Sequence, residues 1–312
     1  MKHTAVFALL MSLAASALAQ VPVARSWVTP AIRAPHVAFR TFDSQAAKTK
    51  VSFHIYAPEI YDTAKERRFP VLYWLHGTGG GGQGIAPLSA WFDEAIRAGK
   101  IPPMLVVFAN GLAESMWCDS KDGAIPMETI VVQELVPHID AAFRTQAWRA
   151  GRILEGFSMG GYGAARLGFG HPDVFGAVSI LAGGPLDPEF KGPRATANPA
   201  MRERILEATF GGDISCFRTQ SPFTIAEKNA ATVRGHTLVR QAVGGRDFTA
   251  PLNRGFSAHL EKLGIEHTFT EVPGVGHDAL ALLRGLGEEN WKFYQVALSN
   301  SEPASLKPSS AK

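Results

Sequence analysis

The sequence predicts an α/β fold with a mostly parallel, twisted central sheet flanked by helices, and three observations carry that reading. Short apolar runs bounded by Gly, Pro or Asn alternate with segments of helical period. Three of the runs, at 71–75, 104–108 and 177–181, are apolar almost throughout, as strands covered on both faces are. Third, in Arg152-Ile153-Leu154-Glu155-Gly156-Phe157-Ser158-Met159-Gly160-Gly161 a strand turns abruptly into a helix with a serine at the apex.

In chain order, residues 51–56 alternate and predict an early strand with one wet face. Val71–Leu75, residues 104–108 and Ala177–Leu181 predict buried strands, and residues 238–243 and Thr268–Val272 the last two. Residues 128–143 predict a helix with Ile130, Val131, Leu135, Ile139 and Phe143 on one stripe and a kink at Pro137. Residues 159–169 predict another, whose Gly160, Gly161, Gly163, Ala164 and Ala165 permit close packing on the sheet before His171-Pro172 ends it. Residues 183–234 break the rhythm with Pro185, Pro188, Pro193 and Pro199 and a charged helix near 201–206. They read as an excursion over the sheet within a single domain spanning 20–298, and the Ser-, Pro- and Lys-rich residues 299–312 predict a disordered tail.

Residues 1–19 carry Lys2 and His3, an apolar stretch and Ala17-Leu18-Ala19, which predicts a signal peptide cleaved near Ala19 and a secreted or periplasmic protein. The apolar stretch is shorter than the roughly 20 residues a membrane span needs, so none is expected in the mature protein. A formal net charge of +3 over 312 residues predicts no nucleic-acid or membrane-surface binding. Cys118 and Cys216 could pair in an oxidising compartment or remain thiols, and their spacing leaves both open.

A serine on such a turn needs a base, an orienting acid and donors for an oxyanion before it can transfer an acyl group. Ser158 is the candidate nucleophile. His277, in a glycine-rich loop after the last strand, is the candidate base; His54, His171, His259 and His267 read as structural. Asp247, just beyond the penultimate strand, is the candidate acid and gives the chain order Ser, Asp, His. The plainer reading of Asp247 is a pair with Arg246 or a cap near Pro251, and Asp278 is a rival that adjoins the histidine too closely to face it. The backbone N–H of Met159, opening the helix, supplies one oxyanion donor, and that of Thr78 in His76-Gly77-Thr78-Gly79-Gly80-Gly81-Gly82 the second, with Gly79 as fallback. His76 reads as a structural hydrogen-bonder.

Gly77-x-Gly79-x-x-Gly82 formally matches a dinucleotide fingerprint, but the following strand ends in Ala109-Asn110 where an acidic residue is required. No G-K-[ST] or H-E-x-x-H occurs. The expectation is therefore no cofactor and no metal.

From about Phe42 to Trp291 the chain resembles the esterase-D-like, or putative esterase, family of α/β-hydrolases. The resemblance rests on Tyr56-Ala57-Pro58, Pro70-Val71-Leu72-Tyr73-Trp74-Leu75-His76-Gly77, Trp117, Glu134-Leu135-Val136-Pro137-His138-Ile139-Asp140, the serine turn, Asp247 and Gly276-His277. That family includes feruloyl and acetylxylan esterases and S-formylglutathione hydrolase, which implies acyl chemistry. It also implies a substrate-binding wall around Trp117-Cys118-Asp119. Glu155 departs from the pattern, which favours a small or apolar residue there, and is expected to face solvent rather than to pair with a cation behind the serine.

The resulting expectation is a secreted serine esterase forming an acyl-enzyme on Ser158, with small-molecule or polysaccharide-linked esters, such as acetyl or feruloyl, as substrate. An acyltransferase or a thioesterase would use the same triad, and a hydrolase-fold binding protein would use none of it. Diversion of product by excess alcohol, preference for thioesters, and failure to label with a fluorophosphonate separate these three.

Overall fold

A computed structural model describes residues 26–190 and 199–299. The expected signal at 1–19 and the tail beyond residue 299 lie outside the described residues, as do 191–198 of the excursion. Eight strands form one sheet: β1 (Val37–Ser44), β2 (Thr49–Tyr56), β3 (Val71–Leu75), β4 (Leu105–Ala109), β5 (Arg152–Phe157), β6 (Ala177–Leu181), β7 (Leu238–Gly244) and β8 (Thr268–Val272). Their order is β1-β2-β4-β3-β5-β6-β7-β8, antiparallel through β4 and parallel from β4 to β8. The helices are α1 (Ile60–Thr63), α2 (Gly82–Arg97), α3 (Met127–Thr129), α4 (Val136–Ala142), α5 (Met159–Gly170), α6 (Pro199–Phe210), α7 (Ile214–Gln220), α8 (Pro222–Val233), α9 (Ala250–Lys262), α10 (Ala279–Gly285) and α11 (Glu288–Ser299).

The apolar runs serve two cores, one on each face of the sheet. Val71, Tyr73 and Leu75 of β3 join the core that contains Ile139 of α4, Tyr162 of α5 and Ala226 of α8. Leu72 and Trp74 join the other, with Phe92 of α2, Leu282 of α10 and Phe293 of α11. This is why the strands read as continuous rather than alternating.

The fold departs from the sequence reading in four places. β1 was not anticipated, and it pairs with β2 along eight residues. β2 has no wet face, since residues 51–56 are all buried. Its polar side is covered by the preceding segment: Thr29 N–H donates to Ser52 Oγ at 3.0 Å and Ile32 N–H to His54 Nε2 at 2.9 Å. The helical run from α3 to α4 passes through a π-helical stretch at Ile130–Leu135, which ends two residues before Pro137. Proline lacks an N–H and crowds the carbonyl four residues back, and the wider turn accommodates both. The excursion contains α7 and α8 besides the expected charged helix. Asp213 and Ser221 cap these two helices through their side chains.

A polar ladder crosses the second face. Glu155, Ser179 and Arg240 sit side by side in register on β5, β6 and β7. Arg240 donates to Glu155 Oε2 at 2.5 Å, Ser179 Oγ at 3.0 Å and Asn290 Oδ1 at 2.7 Å, and Tyr294 O–H donates to Glu155 Oε1 at 2.9 Å. The expected solvent-facing Glu155 is thus corrected: it is fully buried, three residues before Ser158, and neutralised by a cation two strands away. Cys118 and Cys216 are both free thiols. No helix among the described residues is long and apolar enough to cross a membrane.

Candidate active site

Ser158, Asp247, His277, Thr78 and Met159 come together at the carboxyl edge of the parallel strands, where open α/β sheets place their sites. The turn from β5 into α5 holds Ser158 at φ 60° and ψ −120°, a conformation that costs a residue with a Cβ about 1–3 kcal/mol. Backbone bonds hold it there: Ser158 N–H donates to Leu181 O at 2.9 Å, and Gly184 N–H to Ser158 O at 3.0 Å. The flanking glycines are required by contact. A Cβ on Gly156 would stand 2.1 Å from Gly160 O, and one on Gly160 would stand 1.8 Å from Leu75 O.

His277 reaches this serine from the loop after β8, with Nε2 2.9 Å from Ser158 Oγ. Its Nδ1 lies 2.7 Å from Asp247 Oδ2. A carboxylate oxygen accepts, so Nδ1 carries the proton and Nε2 is left to accept from the serine hydroxyl. Phe157 and Phe248 flank the imidazole, each with its ring centroid 4.6 Å away. The Asp247 side chain is fully buried, whereas that of His277 is 25% exposed. Burial alone would raise the Asp247 pKa, but the bonds from His277 and Thr249 outweigh it and hold the carboxyl below its ordinary range. Asp247 Oδ1 accepts from both the Thr249 N–H and its Oγ, each at 2.8 Å. Asp247 therefore faces the histidine and caps no helix. The rival Asp278 caps α10, accepting from Ala281 N–H at 2.7 Å.

Two backbone amides border this serine and could face a developing negative charge. Met159 is the first residue of α5, where an N–H has no partner within the helix. Thr78 follows β3 and lines one cavity with Ser158 and His277. Gly79 is not an alternative donor, because its N–H is bound to Ala113 O at 2.9 Å.

Trp117 is not a wall of that cavity. It is fully buried, and its indole N–H donates to His76 O at 3.2 Å. The preceding residue, Met116, faces the cavity instead, with Pro185, Met201, Ile205 and Phe248 completing an apolar lining of about 140 Å³. Sequence reasoning missed these lining residues, which come from separate loops and from α6 and share no local signal. It also missed Thr249, although an Asp followed two residues later by a hydroxyl residue is a turn signature. Among the described residues, no group of three or more His, Cys, Asp or Glu side chains could hold a metal ion.

Residues 44–298 match the family described as "Putative esterase". The chain belongs to the Putative esterase family. A stretch of 166 residues is 36% identical to an endo-1,4-beta-xylanase/feruloyl esterase of Xylanibacter ruminicola, covering 50% of this chain and 23% of that protein. Over 278 residues it is 28% identical to an esterase of Mycobacterium tuberculosis, covering 78% of this chain and 56% of the other. The chain thus spans about a quarter and little more than half of these relatives. A ferulic acid esterase of the fungus Anaeromyces mucronatus superposes with a TM-score of 0.62 at 18% identity, covering 89% of this chain and 97% of that one. The fold of this Putative esterase member is accordingly the α/β-hydrolase fold.

Proposed function

We propose that this protein is a serine esterase that takes an acyl group onto Ser158 and passes it to water. The observation that carries the reading is the unbroken relay from Ser158 Oγ through both nitrogens of His277 to Asp247. Ser158 Oγ attacks the ester carbonyl as His277 Nε2 takes its proton, and the amides of Thr78 and Met159 hold the resulting oxyanion. Asp247 keeps the imidazole in its Nδ1–H tautomer and stabilises the imidazolium. Collapse expels the alcohol, which leaves with the proton from Nε2. Water, deprotonated by the same nitrogen, then attacks the acyl-enzyme, and Ser158 recovers its proton as the acid departs.

The apolar lining supports an acyl group with a small hydrophobic body. A cavity of about 140 Å³ is comparable to the roughly 150 Å³ that admits a benzene-sized guest, and is small for a long acyl chain. With feruloyl esterase activity in the name of one relative, acetyl and feruloyl esters of extracellular polysaccharide are the substrate classes we favour, reached after export with cleavage near Ala19. The test is a panel of acetyl, octanoyl, feruloyl and thioester donors on the protein without its first 19 residues. The reading expects kcat/KM to be highest for acetyl or feruloyl oxygen esters. Preference for octanoyl or for thioesters would overturn the substrate assignment, and inertness toward the whole panel would overturn the esterase itself.

A further inference from the structure

The loop that carries Thr78 begins with His76, a buried histidine to which the proposed mechanism gives no role. Both of its ring nitrogens are engaged by backbone. Gly111 N–H donates to Nε2 at 3.0 Å, and a backbone amide can only donate, so Nε2 holds a lone pair. Nδ1 lies 2.7 Å from the carbonyl oxygen of Gly77, which can only accept, so Nδ1 holds the proton. The two bonds leave a single allowed state, the neutral Nδ1–H tautomer. Burial lowers the pKa of this imidazole to about 4, so it gains no second proton near neutrality. Its position is fixed as well. The Trp117 ring meets it edge-on at 5.1 Å, and a Cβ on Gly81 would stand 2.8 Å from its Cδ2.

The Gly77 carbonyl and the Thr78 N–H belong to one peptide group, and in a trans peptide they point in opposite directions. Pinning the carbonyl toward the His76 ring therefore pins the amide hydrogen away from it. That peptide lies against the serine: a Cβ on Gly77 would be 3.2 Å from Ser158 Cβ and 3.7 Å from its Oγ, and Thr78 lines the cavity beside it. We propose that His76 is a positioning residue of the oxyanion hole, its Nδ1–H holding the Gly77–Thr78 peptide in the orientation that aims the Thr78 N–H at the oxyanion. This rests on reading Ser158 as nucleophile and Thr78 N–H as donor.

The test compares two amides that each mimic one ring nitrogen. In His76→Asn the side-chain NH₂ stands near the place of Nδ1 and keeps the donor to Gly77. In His76→Gln the amide oxygen stands near the place of Nε2 and keeps only the acceptor for Gly111. Removing an oxyanion donor costs about 100- to 1,000-fold in rate, so misaiming one is expected to lower kcat by about 10- to 100-fold in His76→Gln. KM should stay within about threefold. The Ki of a trifluoromethyl ketone, which binds as a tetrahedral adduct, should rise by the same factor as kcat falls, and His76→Asn should recover most of both. A His76→Gln enzyme with wild-type kcat overturns the proposal, as do equal losses in the two variants or a fall in kcat with the ketone Ki unchanged. In the wild-type protein, a two-bond ¹H–¹⁵N spectrum between pH 6 and 8 should show His76 protonated at Nδ1; an Nε2–H tautomer overturns the proposal even if neither variant folds. Wild-type activity in Ser158→Ala would instead defeat the underlying site reading, so the two failures are distinguishable.

Discussion

Asp247 Oδ2 and His277 Nδ1 lie 2.7 Å apart across thirty residues of chain, one beyond the end of β7 and the other beyond the end of β8. The parallel register of these two strands, with Gly244 opposite Val272, brings both loops to one edge of the sheet. The pairing decides which nitrogen of the imidazole is free to face Ser158.

Replacing Asp247 with Asn should therefore leave the fold in place and remove the preference for the productive tautomer. An amide NH₂ facing Nδ1 favours the proton on Nε2, where it blocks acceptance from the serine. We expect kcat to fall by about 10⁴-fold in Asp247→Asn with little change in thermal unfolding. Steady-state kinetics checks this, and a loss below tenfold would move the acid role to another residue.

The ladder behind the serine makes a separate prediction. Removing one partner of a buried ion pair leaves the other charge uncompensated, at a cost of about 3–5 kcal/mol, whereas replacing both by apolar groups of similar size costs far less. Glu155→Ala should be destabilised to that extent, since Arg240 is left among Phe293, Tyr294 and Asn290. Glu155→Leu combined with Arg240→Met should recover most of the loss. Urea unfolding of the single and double variants measures the coupling.

Glu128 couples stability to pH. Burial would raise its carboxyl, but bonds from His171 at 2.7 Å and Arg166 at 2.5 Å overcome that and hold its pKa at about 2. A carboxyl held low in the folded state contributes full stability above its unfolded value near 4.5 and loses it as pH falls toward 2. Glu128→Gln should be less stable than wild type by about 2–3 kcal/mol at pH 7. The gap should shrink between pH 4.5 and 2. Unfolding curves across that window check the direction, and a gap that widens on acidification contradicts it.

Two glycines give opposite outcomes for the same substitution. Gly160→Ala places a Cβ 1.8 Å from Leu75 O, backbone that cannot yield, and should prevent the serine turn from forming. Gly255, in the body of α9, has no neighbour within 4 Å of its Cβ position. Gly255→Ala should raise stability by about 0.5–1 kcal/mol, readable as an increase in melting temperature.

The parts legible in the sequence are those whose signal is local. β3 and β6 match their apolar runs, and β8 its predicted span, residue for residue. Ser158, Asp247 and His277 were each marked by a glycine-rich turn at a strand end. What stayed hidden depends on which chain segments meet in space. Glu155 reads as an anomaly until the register of β5, β6 and β7 sets Arg240 two strands away. The wet face expected of β2 vanishes because a segment some 20 residues earlier covers it. Met116 rather than Trp117 faces the cavity, because left-handed backbone at both residues (φ 55° at each) turns the indole inward to His76. That reversal has no signature in the order of the residues.

The most direct test of the central claim is the hydrolysis of an acetyl or feruloyl ester by Ser158→Ala. With the nucleophile gone and the fold intact, kcat/KM should fall below about one part in a thousand of wild type, while the unfolding transition stays unchanged. A folded Ser158→Ala protein that keeps more activity than that would contradict an acyl-enzyme at Ser158.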